Sequence, residues 1–250
     1  MVQHTRLDCV IGSSGLMRGA ATQALHHAAY RSAFGKRLAE APLMQNVLAD
    51  LAVETEAAIA LTLRLARTFE ADASDAERAL ARVATPALKY WLCKRAPSVV
   101  AEAMEVLGGN GYVEESALPR LYREAPLNSI WEGSGNVMCL DVLRATRREP
   151  AAVEALLAEL ALARGGNARL DTHVAALAAA LSDADSGESG ARRLAGGVAV
   201  ALAGALLVRH APAALADAYC ASRLDRFGSG ALGTLPPGAG CADIIAQASA

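Results

Sequence analysis

The sequence predicts an all-α protein, and three features of its 250 residues carry that prediction. Alanine, the strongest helix former, supplies 58 of them. Apolar residues recur at three- and four-residue spacing over long stretches, as in Val47, Leu51, Ala58, Leu61 and Leu65, with Glu54, Glu56, Arg64 and Arg67 on other faces. That is the pattern of amphipathic helices. Helix breakers cluster at a few places and leave long segments between them. Hydrophobic residues make up 53% of the chain, and 24 basic residues face 26 acidic ones, which excludes a disordered chain and a strongly basic nucleic-acid module. A chain of this length buries a sizeable core in one large domain or two modest ones.

Taken in order, the periodic segments place helices near residues 2–33, 42–71, 75–107 and 129–147, separated by Phe34-Gly35, Ala73-Ser74 and the stretch from Gly108 to Asn128. Four long helices of this kind suggest an up-down bundle. Pro86 and Pro97 fall inside the third helix; each lacks an amide donor and crowds the preceding turn, so they are expected to kink or split it. Past Pro150 the composition changes. The last 100 residues hold 31 alanines, no lysine, and seven basic against nine acidic residues, whereas residues 1–150 balance at 17 against 17. Residues 1–150 therefore read as a helical bundle and residues 151–250 as an alanine-rich helical extension, broken at Gly165-Gly166, Asp183 to Gly190 and Leu235 to Gly238. Neither part advertises a polyanionic partner by net charge.

The apolar stretch from Leu194 to Val208 is too short for a membrane span and is interrupted at Gly196, Gly197 and Gly204, so it reads as a buried helix. The first thirty residues lack an apolar signal core, and a cytoplasmic protein with no membrane partner is expected. Cys9, Cys93, Cys139, Cys220 and Cys241 are scattered, and the adjacent His26 and His27 diverge on a helix, so no metal site is expected. Cys93, beside Lys94 and Arg95, reads as either an activated thiol or a buried helical cysteine.

Two segments carry candidate chemistry. Gly108-Gly109-Asn110-Gly111 permits close backbone approach to a ligand and equally serves as a helix C-cap and turn. No strand precedes it, so it is not a dinucleotide fingerprint. Trp131-Glu132-Gly133-Ser134-Gly135-Asn136 sets a carboxylate between an indole and a glycine. Trp131 would desolvate Glu132, raise its pKa and make it a general base; the structural alternative is an acid favoured by a helix N-terminus. Ser134 and Asn136 would cap the next helix or donate to a ligand.

Together with Tyr30-Arg31-Ser32-Ala33-Phe34-Gly35-Lys36-Arg37-Leu38 and Pro42-Leu43-Met44-Gln45, these segments give residues 1–150 an ordered set of motifs that resembles the carboxy-terminal helical domain of acyl-CoA dehydrogenases. Met104-Glu105-Val106-Leu107, the Glu114-Glu115-Ser116 turn, Trp131 and the run from Val137 to Arg144 look like the AidB branch. That branch is linked to the adaptive response to DNA alkylation, and its extra C-terminal helices would correspond to residues 151–250. The resemblance implies an FAD site assembled between subunits of a homo-oligomer. Arg31 would pair with the pyrophosphate, which suits guanidinium geometry, and Phe34 would pack near the adenosine end. Gln45, Gly108, Gly109, Ser134 and Asn136 match other positions that touch FAD. Glu132 matches the base that removes the α-proton of an acyl-CoA, while the redox chemistry belongs to the flavin. Glu105 stands where dehydrogenases commonly carry Gln, and Cys139 where they commonly carry Arg. The resemblance also implies an amino-terminal helical domain and a central β-domain ahead of this region, so residues 1–250 alone are expected to bind FAD weakly and to turn over no substrate.

The competing structural reading makes Arg31 and Lys36 solvated helix-end cations and Phe34 ordinary core; the order of the motifs favours the flavin reading. A second class of function is double-stranded DNA binding. Arg144, Arg147 and Arg148 share a helical face, with Arg192-Arg193 and Arg223 with Arg226 in the tail, and such arginines neutralise phosphates. The simpler reading pairs them with Asp141, Glu149 or Asp225 on a solvated surface. A third reading is a packing module that associates with a copy of itself.

Overall fold

The protein is described by a computed structural model over residues 1–182, 187–224, 232, 235, 236 and 238–248. The bundle comprises α1 (Val2–Tyr30), α2 (Pro42–Arg67), α3 (Asp75–Leu107) and α6 (Gly135–Arg148), with two short helices, α4 (Gly109–Tyr112) and α5 (Leu118–Glu124), between the last two. The extension adds α7 (Pro150–Ala161), α8 (Ala168–Ser182), α9 (Ala191–His210), α10 (Ala213–Arg223) and α11 (Cys241–Ala248). Among the described residues the only strands are β1 (Ser32–Ala33) and β2 (Lys36–Arg37), an antiparallel pair that turns the chain between α1 and α2.

Helix ends differ from the periodicity where the backbone forbids a helix. The first helix stops at Tyr30, not 33, because Arg31 is already extended and the next residues pair as β1 and β2. The fourth starts at Gly135, not 129, because Glu132 and Gly133 hold φ values of +55° and +103°, outside right-handed helical space. Ser74 caps α3 by accepting the Glu77 amide at 3.2 Å.

The expected split at Pro86 and Pro97 does not occur: α3 is one helix of 33 residues running through both. It packs against α1, α2, α6, α7 and α9 and buries Leu88, Leu92, Val99, Val100 and Val106. Each such aliphatic side chain contributes about 1.5–3 kcal/mol. Together they offset interior prolines that cost about 3 kcal/mol each.

The Leu194 to Val208 stretch is, as read, a core helix. The segment Glu188–His210 is long and apolar enough to cross a membrane by composition, yet 78% of its apolar window is buried inside the protein. Around α9 the extension and the bundle share one continuous apolar core, from Leu7 to Ile244.

Charge reinforces that junction. Arg223 of α10 donates to Asp50 and Glu54 of α2, and Arg95 of α3 donates to the other oxygen of Glu54 at 2.7 Å. Asp50 is fully buried and Glu54 is 4% exposed. Burial pushes the Glu54 carboxyl up, but Arg95 and Arg223 outweigh it and hold the group below the usual carboxylate range.

Arg223→Ala removes one cation from each of two buried carboxylates, Asp50 and Glu54, so it should cost about 3–5 kcal/mol in urea unfolding. The depressed Glu54 pKa makes its stabilisation present above the unfolded value and lost as pH falls through the folded one. The drop in stability on acidification should therefore shrink in Arg223→Ala; an unchanged drop contradicts the assignment.

Candidate functional site

The corner after α1 is a strained turn. Phe34 holds φ at +53° and Gly35 at +82°, and the left-handed region costs a side-chain-bearing residue roughly 1–2 kcal/mol. The Phe34 ring is fully exposed. The ordinary-core reading of Phe34 is thereby overturned: the hairpin tip holds the ring away from every apolar face of this chain.

Behind the corner lies a cavity of about 370 Å³ lined by Arg31, Ala33 and Met44 on one side and Glu105, Gly108 and Gly109 on the other. Two of the three motif segments thus meet in one groove. Gly108 caps α3 with φ at +60°, and a side chain built on Gly108 or Gly109 would touch nothing, so their backbone is open to the groove. Gly111 does different work. A Cβ there would stand 2.3 Å from the Met104 carbonyl oxygen, which makes this glycine a packing requirement of the bend. Gly108 thus serves both readings of the glycine run, cap and open backbone, while Gly111 serves the turn. Gln45 is committed locally, its side-chain amide donating to the Ala39 carbonyl at 2.9 Å. Glu105 is exposed on the groove wall, while burial first, and then the charges of Glu105 and Asp50, push the Glu102 carboxyl up.

The third segment lies elsewhere. Glu132 is exposed and accepts a hydrogen bond at 3.0 Å from the Thr5 hydroxyl, near the start of α1. Helix α1 has 29 residues, about 44 Å at ~1.5 Å per residue, and Arg31 follows its far end. No single small molecule touches Arg31 and Glu132 of one copy. The expected enclosure of Glu132 by Trp131 is absent, because the indole is 51% exposed and its N–H is tied to Asn128 Oδ1 at 3.1 Å. The helix-dipole alternative is also weakened, since Glu132 precedes α6 by a strained turn. Ser134 is the N-cap of α6 without a side-chain capping bond, and Asn136 Oδ1 accepts from Arg192 at 2.9 Å.

Sequence reasoning passed over the groups that hold this turn. Lys89 of α3, 1% exposed, donates to the carbonyls of Trp131 at 2.7 Å and Gly133 at 2.6 Å. Arg6 donates to the Glu132 carbonyl at 3.3 Å and to Asp141 at 2.7 Å. Burial lowers the Lys89 ammonium below the ordinary lysine range. The available signal was Lys89 itself, one of only three lysines, set in an apolar run beside Leu88, Tyr90 and Trp91.

Arg144, Arg147 and Arg148 are exposed on the last turns of α6. Arg144 stands 3.6 Å from Asp141, a carboxylate already paired with Arg6 and Arg82. Glu149 pairs with Arg82. Arg223 is spent in the buried cluster and offers no free surface cation; Arg192 is exposed and keeps its charge while its Nε donates to Asn136; Arg226 lies outside the described residues. Cys93 is a buried helical cysteine whose thiol burial pushes up to about 11, not an activated one. Among the described residues no group of ligating side chains is arranged for a metal.

Residues 1–146 match the acyl-CoA dehydrogenase C-terminal domain family. AidB of Escherichia coli strain K12, which bears an acyl-CoA dehydrogenase name, is 43% identical over 224 residues, 90% of this chain and 41% of that protein. Acyl-CoA dehydrogenase family member 11 of Caenorhabditis elegans is 36% identical over 148 residues, 58% of this chain and 24% of its own length. The crystal structure of C. elegans ACDH-11 in complex with C11-CoA superposes with a TM-score of 0.76 at 30% identity, covering 88% of this chain and 42% of that one. A Bacillus anthracis acyl-CoA dehydrogenase complexed with FAD shares the fold, with a TM-score of 0.61 at 20% identity over 92% of this chain and 44% of its own. The chain thus spans well under half the length of these relatives.

The glycine bend and the tip of the corner should respond differently to filling and to truncation. Gly111→Ala forces a backbone clash and should lower stability by about 1–3 kcal/mol. Phe34→Ala removes a solvated ring and should change it by no more than about 0.5 kcal/mol. Thermal melts of the two variants that rank in the opposite order would refute this description of the corner.

Proposed function

The chain belongs to the acyl-CoA dehydrogenase family through its C-terminal helical domain, and on that premise we propose that it supplies two separated half-sites of an FAD-dependent acyl-CoA dehydrogenase of the AidB type. The observation that carries this reading is the meeting of Arg31 with the open backbone of Gly108 and Gly109 in one groove, while Glu132 is held at the other end of α1. A cation beside glycine backbone that no side chain covers suits a diphosphate, although the Gly108 amide itself is donated to the Glu105 carbonyl at 3.0 Å, and Phe34, already in solvent, has a free ring for the adenosine end. Glu105 on the same wall opposes an anion and weakens the hold. Ser134 and Asn136, next to Glu132, would serve a flavin whose diphosphate lies against the corner of a second copy, which makes the working form a homo-oligomer. Gln45 would act from behind, through the turn it ties at Ala39.

FAD, when bound, supplies the hydride acceptor for the β-carbon of an acyl-CoA. Glu132 takes the α-proton on its carboxylate, with the Thr5 hydroxyl holding one oxygen. The exposed carboxylate and half-exposed indole leave water exclusion to parts outside this chain. The relatives solved with C11-CoA and with FAD support the two ligand classes. We place residues 1–150 as the site-bearing bundle, residues 151–250 as its buttress, and the protein in the cytoplasm.

Purified residues 1–250 should retain FAD weakly and dehydrogenate no acyl-CoA; tight flavin retention with turnover, read from visible absorbance, would sink the half-site reading. With the amino-terminal helical and central β-domains supplied in front, Glu132→Gln should lower kcat by roughly 10²–10⁴-fold at unchanged flavin content, and Arg31→Ala should lower the flavin content itself.

The exposed arginines at the end of α6 favour a second reading, a DNA-binding alkylation-response protein in which the flavin is structural or protective. Duplex affinity should then fall steeply between low and physiological salt and weaken further in an Arg144→Ala, Arg147→Ala double variant. Binding unchanged by either removes this surface from consideration.

A further inference from the structure

Three consecutive backbone carbonyls around Glu132 are each held by a buried cation. Lys89 takes those of Trp131 and Gly133, and Arg6 takes that of Glu132. These carbonyls belong to three successive peptide planes, and fixing the planes fixes the dihedrals of Glu132 and Gly133 between them. Glu132 stands at φ +55°, a conformation a side-chain-bearing residue keeps only where its surroundings over-determine it. Burying a lysine is costly compared with an apolar residue of similar volume. Here its hydrogen bonds go to carbonyls of the strained turn and to no carboxylate. One turn further along α3, Cys93 Sγ accepts from Ser13, Ser13 from Asn128, and Asn128 in turn from the Trp131 indole, so the same helix anchors the turn from a second side.

We propose that Lys89 is a positioning residue that, with Arg6, clamps the carbonyls of Trp131, Glu132 and Gly133 and so holds Glu132 in the left-handed conformation that aims its carboxylate at Thr5. The value of that aim to a reaction rests on the base role proposed above; the clamp itself does not.

The test is hydrogen–deuterium exchange of the full chain without ligand, followed in a peptide covering residues 128–138, for Lys89→Met with and without Glu132→Gly. A left-handed penalty of this kind sets the expected loss of protection in that peptide at roughly tenfold, beyond any change elsewhere. Glycine adopts the same φ at little cost, so adding Glu132→Gly should restore most of the protection. A lysine that only fills space would give exchange in step with the rest of the chain and no rescue by glycine, and either result overturns the proposal. Should Lys89→Met fail to fold, Lys89→Gln, which keeps a neutral donor nitrogen, is measured in the Glu132→Gly background. Refolding with a protected turn supports the clamp, and failure to fold there overturns it. Because the exchange is read without flavin, loss of the flavin reading would leave this result standing.

Discussion

Both halves of the candidate site hang from α3, and the constraint on which they depend is that this helix is packed against α1, α2, α6, α7 and α9. Its middle carries Lys89 against the Glu132 turn, and its end supplies Gly108 and the wall of the groove beside Arg31. A helix that bent or broke at Pro86 would displace Lys89, three residues on, from the two carbonyls it reaches. The apolar contacts that keep α3 continuous therefore also set the geometry of the acid. The ammonium is held in turn by the strength of two charge-assisted hydrogen bonds in a dry setting, where leaving them unmade would be far more costly than in water.

Much of this was legible in the residues. Alanine content and three-four periodicity give the helices, and the order of the corner, the glycine bend and the Trp131-Glu132-Gly133 run gives the family. What was misread shares one cause: a local rule overridden by tertiary structure. Interior proline is unfavourable in an isolated helix, yet burial along α3 outweighs it. For Phe34 only the competing core reading fails, because the ring sits on a hairpin tip at positive φ, which no periodicity reveals. The helix read from residue 129 begins at Gly135 because the intervening strain is imposed from outside by Lys89 and Arg6. Lys89 itself is invisible to reasoning that assigns lysine to the surface.

The arginines illustrate the same point for charge. Near-neutral totals in each half conceal pairs drawn from distant parts of the chain, such as Arg223 with Asp50 and Glu54, or Arg64 and Arg209 converging on Glu159. The planar fork of arginine suits these buried multi-partner arrangements better than lysine does, in keeping with a chain that has almost no lysine. Tail cations that resemble a phosphate-binding set in sequence turn out in part to be the fastening between extension and bundle.

The length of α1 has a consequence for mixed populations. On the half-site proposal, with the corner at one end of the helix and the acid at the other, each copy in a flavin-sharing pair would lend one feature to each of two centres. A damaged chain paired with a sound one then spoils both, if its lesions touch both ends, or only one, if they touch a single end. Two chains crippled at opposite ends rebuild one intact centre between them when they assemble. Inheritance of defects in such a protein follows the arithmetic of partnership, not of single molecules.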